Sequence, residues 1–392
     1  MINENEQIKT SSAPPRNSAI ELLRILSMIM IIFHHFSAHS GFVWDNMRLS
    51  VPFFWDSFIS MGGKIGVNVF VLISGYFLVN SQKSGLDFKR ILKFWGEVFF
   101  YSVLIFIILV SIGDFHFSVL SVLRVFLPIT YARWWFASTY FVLYLIHPFL
   151  NVLLRNLDRR AYQSLLILAV ICWSILPTLF DVHFEGSNLL WFMTLYAISG
   201  YIRIYGLNFK FQSKHYFILF ALFAVLTYAL CIVSIATGIR RASYSPYESF
   251  FYAQEKLSVL LTSVSLFAAF ANLKMKYHKW INVVASATFG VYLLHDHSLV
   301  RPYLWVRIFH CADYQNSLLL IPYSIAVVLA VFVICTLMDL LRQQTVERLY
   351  MKAVNRYADT VLKPFKKVCE FFKRLIFGKQ ETSEEQDDIC NN

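Results

Sequence analysis

Residues 18–38 read SAIELLRILSMIMIIFHHFSA, an apolar run of membrane-spanning length with Arg24 near one end, His35 near the other and Glu21 ahead of the arginine. At 100° per residue, the eleven steps from Arg24 to His35 make three turns plus about 20°. The spacing therefore predicts both side chains on one face of a helix, separated by roughly 16 Å along its axis. Ionisable residues inside a membrane helix are costly to place and mark a functional site by default. The structural alternative is an arginine snorkelling to the headgroups and a histidine bonded to a neighbouring backbone. Glu21, three residues before Arg24, is spaced to pair with the guanidinium. A neutral imidazole at His35 has the chemistry of a general base. His34 points about 100° away from it and reads as packing. His35 and His39 are spaced i, i+4, as metal ligands can be, but no carboxylate or cysteine stands near them in sequence. No metal site is read.

Working outward, the chain has 392 residues, 57% hydrophobic, 17% aromatic and 15% charged, with a mean hydropathy of +0.55. Soluble proteins carry about 25% charged residues, so the expected fold is an all-α, polytopic integral membrane protein. Apolar runs near the spanning length fall at about 18–38, 65–80, 91–112, 134–151, 163–180, 188–204, 215–237, 253–272, 280–299 and 318–341. They predict ten transmembrane helices with both termini on one side. The first run is too long for a signal-peptide core and lacks a small-residue cleavage site, so it is expected to remain in the mature chain.

Positive charge orients the bundle. With the N-terminus in the cytoplasm, the inner loops carry 13 Lys/Arg in 44 residues and the outer loops 9 in 90. The tails add Lys9, Arg16 and the basic residues from Arg342 onward to the inner side. The formal charge of +11 is thus a topology signal, and without a compact basic domain nucleic-acid binding is set aside. The domain layout reads as a cytoplasmic tail over 1–17, a ten-helix membrane domain over 18–342, a basic amphipathic helix over 343–378 and a disordered acidic tail over 379–392. That basic helix is suited to an anionic membrane surface, with a partner-binding helix as the alternative. Six scattered cysteines without CxxC spacing argue for apolar fillers, not a disulfide framework or a zinc site. No internal repeat is evident, which weighs against transporter folds built from inverted repeats.

Further residues carry chemistry. Lys89, Arg90 and Lys93 form a cationic patch at the cytoplasmic end of the third run; it reads either as ordinary positive-inside anchoring or as a phosphate-binding mouth. Glu97 follows Lys93 at i+4 and is placed to hold these cations or to accept a proton. Ser74-Gly75 reads as a point of close helix packing. The ninth run ends with Tyr292, His295, Asp296 and Arg301, either a sugar-binding cluster of donors and acceptors at the outer surface or a solvated helix end. Trp134 and Trp135 are either stacking platforms for a sugar or membrane-interface tryptophans.

Arg24, ten intervening residues and His35, preceded by Glu21, resemble the opening helix of the membrane-bound acyltransferase-3 family. Residues 70–77 (FVLISGYF), 88–93 (FKRILK), Trp134-Trp135-Phe136 through Tyr144, and 289–295 (FGVYLLH) agree with it in order. The resemblance covers about residues 16–342. It implies an O-acyltransferase of the cell membrane, in particular an O-acetyltransferase. The donor would be acetyl-CoA or another acyl-CoA and the acceptor a surface polysaccharide or its lipid-linked precursor, with no metal. His35 and Arg24, with Glu21, would be catalytic. Arg90 and Lys93, with Lys89, would meet the CoA phosphates; the family's Arg-x-x-Arg is Arg90-Ile-Leu-Lys93 here, and lysine lacks the bidentate fork. His295, Asp296, Tyr292, Arg301, Trp134 and Trp135 would face the acceptor. Direct transfer and an acyl-histidine intermediate stay open, as does self-association. The competing reading is a flippase or exporter of lipid-linked sugars, which would need no CoA. A polysaccharide polymerase fits least, since the outer loops are short and poor in carboxylates.

Overall fold

The computed structural model describes residues 17–44, 50–81, 86–182, 188–207, 211–240 and 250–377. Of the tails expected over 1–17 and 379–392, all but Asn17 lies outside the described residues. Among the described residues the structure is helical, without a strand. The helices are α1 (Ser18–His39), α2 (Val51–Leu78), α3 (Phe88–Ser111), α4 (Val119–Phe126), α5 (Trp135–Asn156), α6 (Arg159–Val170), α7 (Leu176–Phe180), α8 (Asn188–Tyr205), α9 (Ser213–Arg240), α10 (Leu257–Ala271), α11 (Lys279–Ser286), α12 (Thr288–His295), α13 (Leu320–Arg342) and α14 (Arg348–Phe377). Among the described residues, seven stretches are long and apolar enough to cross a membrane: α1, α2, α3, α5, α6 through α7, the bulk of α9, and α13 with its continuation. The three remaining apolar runs form α8, the 15-residue α10, and the broken pair α11 and α12.

Polar residues start these helices where the first backbone N–H groups need acceptors. Asn17 Oδ1 accepts from Ala19 N at 3.0 Å at the head of α1. Ser50 Oγ accepts from Phe53 N at 3.3 Å ahead of α2, with Pro52 in the first turn. Asp87 caps α3. Large apolar side chains on the bundle's outside stay exposed, among them Ile107 and Ile108 of α3, Ile218 and Leu222 of α9, and Val333, Ile334 and Leu337 of α13. Such residues are stable outward only against lipid.

Helix α1 occupies the centre and packs against α2, α10, α11, α12 and α13. Ala19, Ile20, Leu23, Ile32 and Phe36 are fully enclosed along it. Its closest neighbour is α2. Between lipid-soluble helices, small residues permit the backbone approach from which packing energy comes, and Gly63 supplies one here. A Cβ on Gly63 would lie 2.3 Å from the His34 Cβ. His34 is held in place as its Nδ1–H donates to the Ser60 carbonyl at 2.8 Å, a packing role. Ser74-Gly75 likewise serves contact with α8: a Cβ on Gly75 would sit 2.3 Å from Ser199 Oγ.

Two elements depart from expectation. Helix α2 is 28 residues long and starts at Val51, well before the apolar run at 65. Lys64, expected in an outer loop, is therefore inside a helix. The run at 280–299 is interrupted at Ala287. Gln343 explains the break: its Nε2 donates to the Ser286 carbonyl at 3.1 Å, and Ser286 Oγ donates to Gln343 Oε1 at 3.2 Å. A side-chain amide satisfies the carbonyl that the interrupted helix leaves free. The basic segment after the last long helix is helical as α14, entered through a wide turn over Gln343–Glu347.

Candidate active site

The site is built along α1. At its first turns Arg24 Nε donates to Glu21 Oε2 at 3.2 Å, the pairing the spacing predicts, and the guanidinium carbon lies 6.0 Å from the Phe70 ring centre. Three turns further on, His35 Nδ1 is 2.9 Å from His295 Nε2 and 3.3 Å from Asp296 Oδ1. His295 Nδ1 lies 2.6 Å from the Val291 carbonyl oxygen. A carbonyl only accepts, so His295 carries its proton on Nδ1 and presents a lone pair at Nε2. That lone pair accepts from His35 Nδ1–H. The remaining nitrogen of His35, Nε2, is left with the free lone pair. Asp296 is held in turn by Arg301, whose Nη2 and Nε reach Asp296 Oδ1 at 2.7 and 2.9 Å. His295 and Asp296 both stand at Nδ1 and leave Nε2 free, an arrangement suited to an oriented base.

This arrangement corrects two expectations about the ninth run. His295 and Asp296 are each 1% exposed, so they back His35 inside the bundle and are no solvated outer cluster. Arg301 is committed to Asp296 by side-chain and main-chain contacts. The sequence showed no carboxylate beside His35 and His39, yet the fold delivers one. Ligand atoms of His35, His39 and Asp296 lie within 4.8 Å of one another. The Arg301 guanidinium on the Asp296 oxygen opposes a cation there.

His35 lines a small apolar chamber of about 30 Å³ with Met28, Ile31, Val67, Trp135 and Tyr292. Trp135 sits under a second cation, since Lys64 Nζ is 5.3 Å from its ring centre. Trp134 is different: it is enclosed, its Nε1 donating to the Leu293 carbonyl at 3.1 Å. Its ring is spent on packing α5 against α12 and is out of reach of a sugar. Cys172, Cys231, Cys311 and Cys335 carry free thiols. At Cys311, in the connection before α13, burial pushes the thiol up to about 11, which withholds a thiolate nucleophile.

On the Arg24 side the chamber is followed by a cavity of about 830 Å³. Arg24, Arg90, Lys93, Arg203 and Arg342 line it, together with Glu21, Glu97 and Glu347. Arg90 pairs with Asp87 at 3.4 Å and keeps 64% of its side chain exposed. Lys93 pairs with Glu347 at 2.6 Å. Lys89 is exposed but is not part of the cavity wall. Glu97, expected to hold the cations of its own helix or to accept a proton, bonds Arg342 of α13 at 3.0 Å. Arg342 also meets Asp339 at 2.7 Å and Glu347 at 2.9 Å.

Arg203, at the end of α8, was missed in the sequence, where it counted as one more loop charge. It donates from Nη1 to the Tyr76 hydroxyl at 3.0 Å and stacks over that ring at 4.7 Å. Among the described residues its partner is a neutral tyrosine, whereas Arg24, Lys93 and Arg342 each meet a carboxylate. The adjacency of an arginine to the aromatic Gly75-Tyr76-Phe77 turn was not readable from either segment alone.

The family model for acyltransferase-3 proteins, described as an acyltransferase domain, matches residues 17–340. No curated protein and no solved structure matches the chain.

Proposed function

The chain belongs to the acyltransferase-3 family and is a membrane acyltransferase, and we propose that it moves an acetyl group from cytoplasmic acetyl-CoA to a hydroxyl of a surface polysaccharide or its lipid-linked precursor in the cell membrane. The observation that carries this reading is the hydrogen-bond order at His35, which leaves Nε2 as a lone-pair base on the wall of a small chamber. The donor reading is supported by the larger cavity beside that chamber, lined by five cations. Pyrophosphate and 3′-phosphate groups are attracted to such a mouth, and arginine grips them with paired donors. Arg203 and Arg90 meet the phosphates and Lys93 adds a point charge. The pantetheine arm then runs past Arg24 toward His35. The acceptor class is the one the family resemblance implies.

In the transfer, His35 Nε2 removes the proton from the acceptor hydroxyl as its oxygen attacks the thioester carbonyl. The new C–O bond forms, the C–S bond breaks, and the imidazolium returns its proton to the leaving thiolate, giving CoA thiol and the ester. Positive charge on His35 is offset by Asp296 Oδ1, and His295 holds the ring through Nδ1. Arg24, fixed by Glu21, positions the donor. The test uses purified chain in proteoliposomes with radiolabelled acetyl-CoA and membranes bearing the acceptor glycan. Ester label on the glycan is expected with the native chain and its loss with His35→Ala. Label retained by His35→Ala overturns the role.

A further inference from the structure

Phe70, Phe136 and Phe289 line both the large cavity and the chamber at His35. These three rings stand where the two spaces adjoin and form a collar between them. The collar is interlocked. Phe136 stacks on Tyr140 with ring centres 5.9 Å apart and meets the Tyr292 ring edge-on at 5.6 Å. Phe289 stacks on Phe94 at 4.8 Å and on Tyr292 at 6.2 Å. Behind the collar, Met28, Ile31 and Val67 are buried, so the far wall is as closely packed as the core. Rings held this way yield only with repacking of their neighbours.

The chamber's size and polarity then matter. A water-sized group needs about 10–15 Å³ of such space, so about 30 Å³ accommodates a methyl and a carbonyl and little more. Apart from His35 and Tyr292 the lining is apolar, with no lysine or arginine in it. A carboxylate brought there would lose its hydration without a cation in the wall to bond it, since Lys64 is held on the Trp135 ring, 5.3 Å from its centre.

We propose that the collar of Phe70, Phe136 and Phe289, with Ile31 and Val67 as the chamber floor, selects a two-carbon uncharged acyl group and rejects longer and carboxylated acyl thioesters. This rests on the acyl-CoA reading above and adds to it the residues that set acyl identity. The experiment supplies acetyl-, butyryl- and succinyl-CoA to the full chain in proteoliposomes with acceptor membranes and measures acyl ester formed on the glycan. The native chain is expected to favour acetyl over butyryl by at least about ten-fold in kcat/KM, the discrimination that tight apolar pockets give per added carbon unit, and to leave succinyl untransferred. Phe136→Ala and Phe289→Ala should raise the butyryl-to-acetyl ratio by about ten-fold. Ile31→Ala is a smaller excision that should raise it in the same direction if ring truncation removes the protein from the membrane. Equal use of acetyl and butyryl by the native chain, or a ratio unmoved in variants that reach the membrane, overturns the selector. Failure of the native chain to transfer any of the three is a separate outcome, which overturns the acyl-CoA reading and the selector with it.

Discussion

His35 Nδ1 is committed to His295 and Asp296, and that commitment leaves Nε2 as the nitrogen free to act in the proposed transfer. His295→Ala should therefore lower kcat toward the 10²- to 10⁴-fold that a positioned base contributes, with about the same KM for the donor. Steady-state kinetics at matched membrane levels check this; an unchanged kcat contradicts the orienting role. Arg203→Ala should raise the KM for acetyl-CoA about ten-fold, as loss of one charge-assisted contact does. It should leave use of acetyl-pantetheine, which lacks the nucleotide phosphates, nearly unaltered. Equal loss with both donors would show that Arg203 acts elsewhere. At this scale the helical period was enough to put Arg24 and His35 on one face and Glu21 beside the guanidinium. The partnership of His35 with His295 joins positions 260 apart, and no local spacing encodes it. Arg203 escaped for the same reason, since its meaning comes from Tyr76 on another helix.

Elements were readable where hydrophobicity and helix coincide. Each expected apolar run has a helix, but the start of α2 was missed because Gly62, Gly63 and Lys64 lower the apolar signal without ending the helix. In membrane helices glycine marks neighbour contact more often than a break. The interruption at Ala287 was invisible for another reason: its cause is Gln343, on a later segment. The contact between α12 and α13 offers a direct test of close packing. A Cβ on Gly290 would lie 2.1 Å from Asp339 Oδ1, and Asp339 is pinned by Tyr101 Oη, donating at 2.6 Å, and by Arg342. Gly290→Ala should then destabilise the detergent-solubilised chain by about 1–3 kcal/mol, the range for overpacking. It should also reduce activity, since α12 carries His295. A thermal-unfolding midpoint equal to that of the native chain contradicts this packing account.

Across the whole molecule, α3, α13 and the entrance to α14 are tied at the large cavity by one buried cation. Arg342 gathers Glu97, Asp339 and Glu347, and Glu347 reaches on to Lys93. Removing one partner of a buried ion network strands the others, at about 3–5 kcal/mol. Arg342→Ala should lower the inactivation temperature more than Lys93→Ala, whose side chain is half exposed; the reverse order of heat-inactivation midpoints would refute it. Fold class and membrane character were legible because composition and run length report them directly. The large cavity was legible only in outline, as a basic patch, because its walls come from helices far apart in sequence. Phe70, Phe136 and Phe289 stand between that cavity and His35, and the proposed transfer has a single consequence for the cell surface. The most direct measurement is mass spectrometry of the surface glycan from cells lacking the native chain and supplied with His35→Ala at native membrane levels. An intact glycan without its ester-linked acetyl groups is expected. Glycan that keeps those esters, or a surface with no glycan at all, would contradict it.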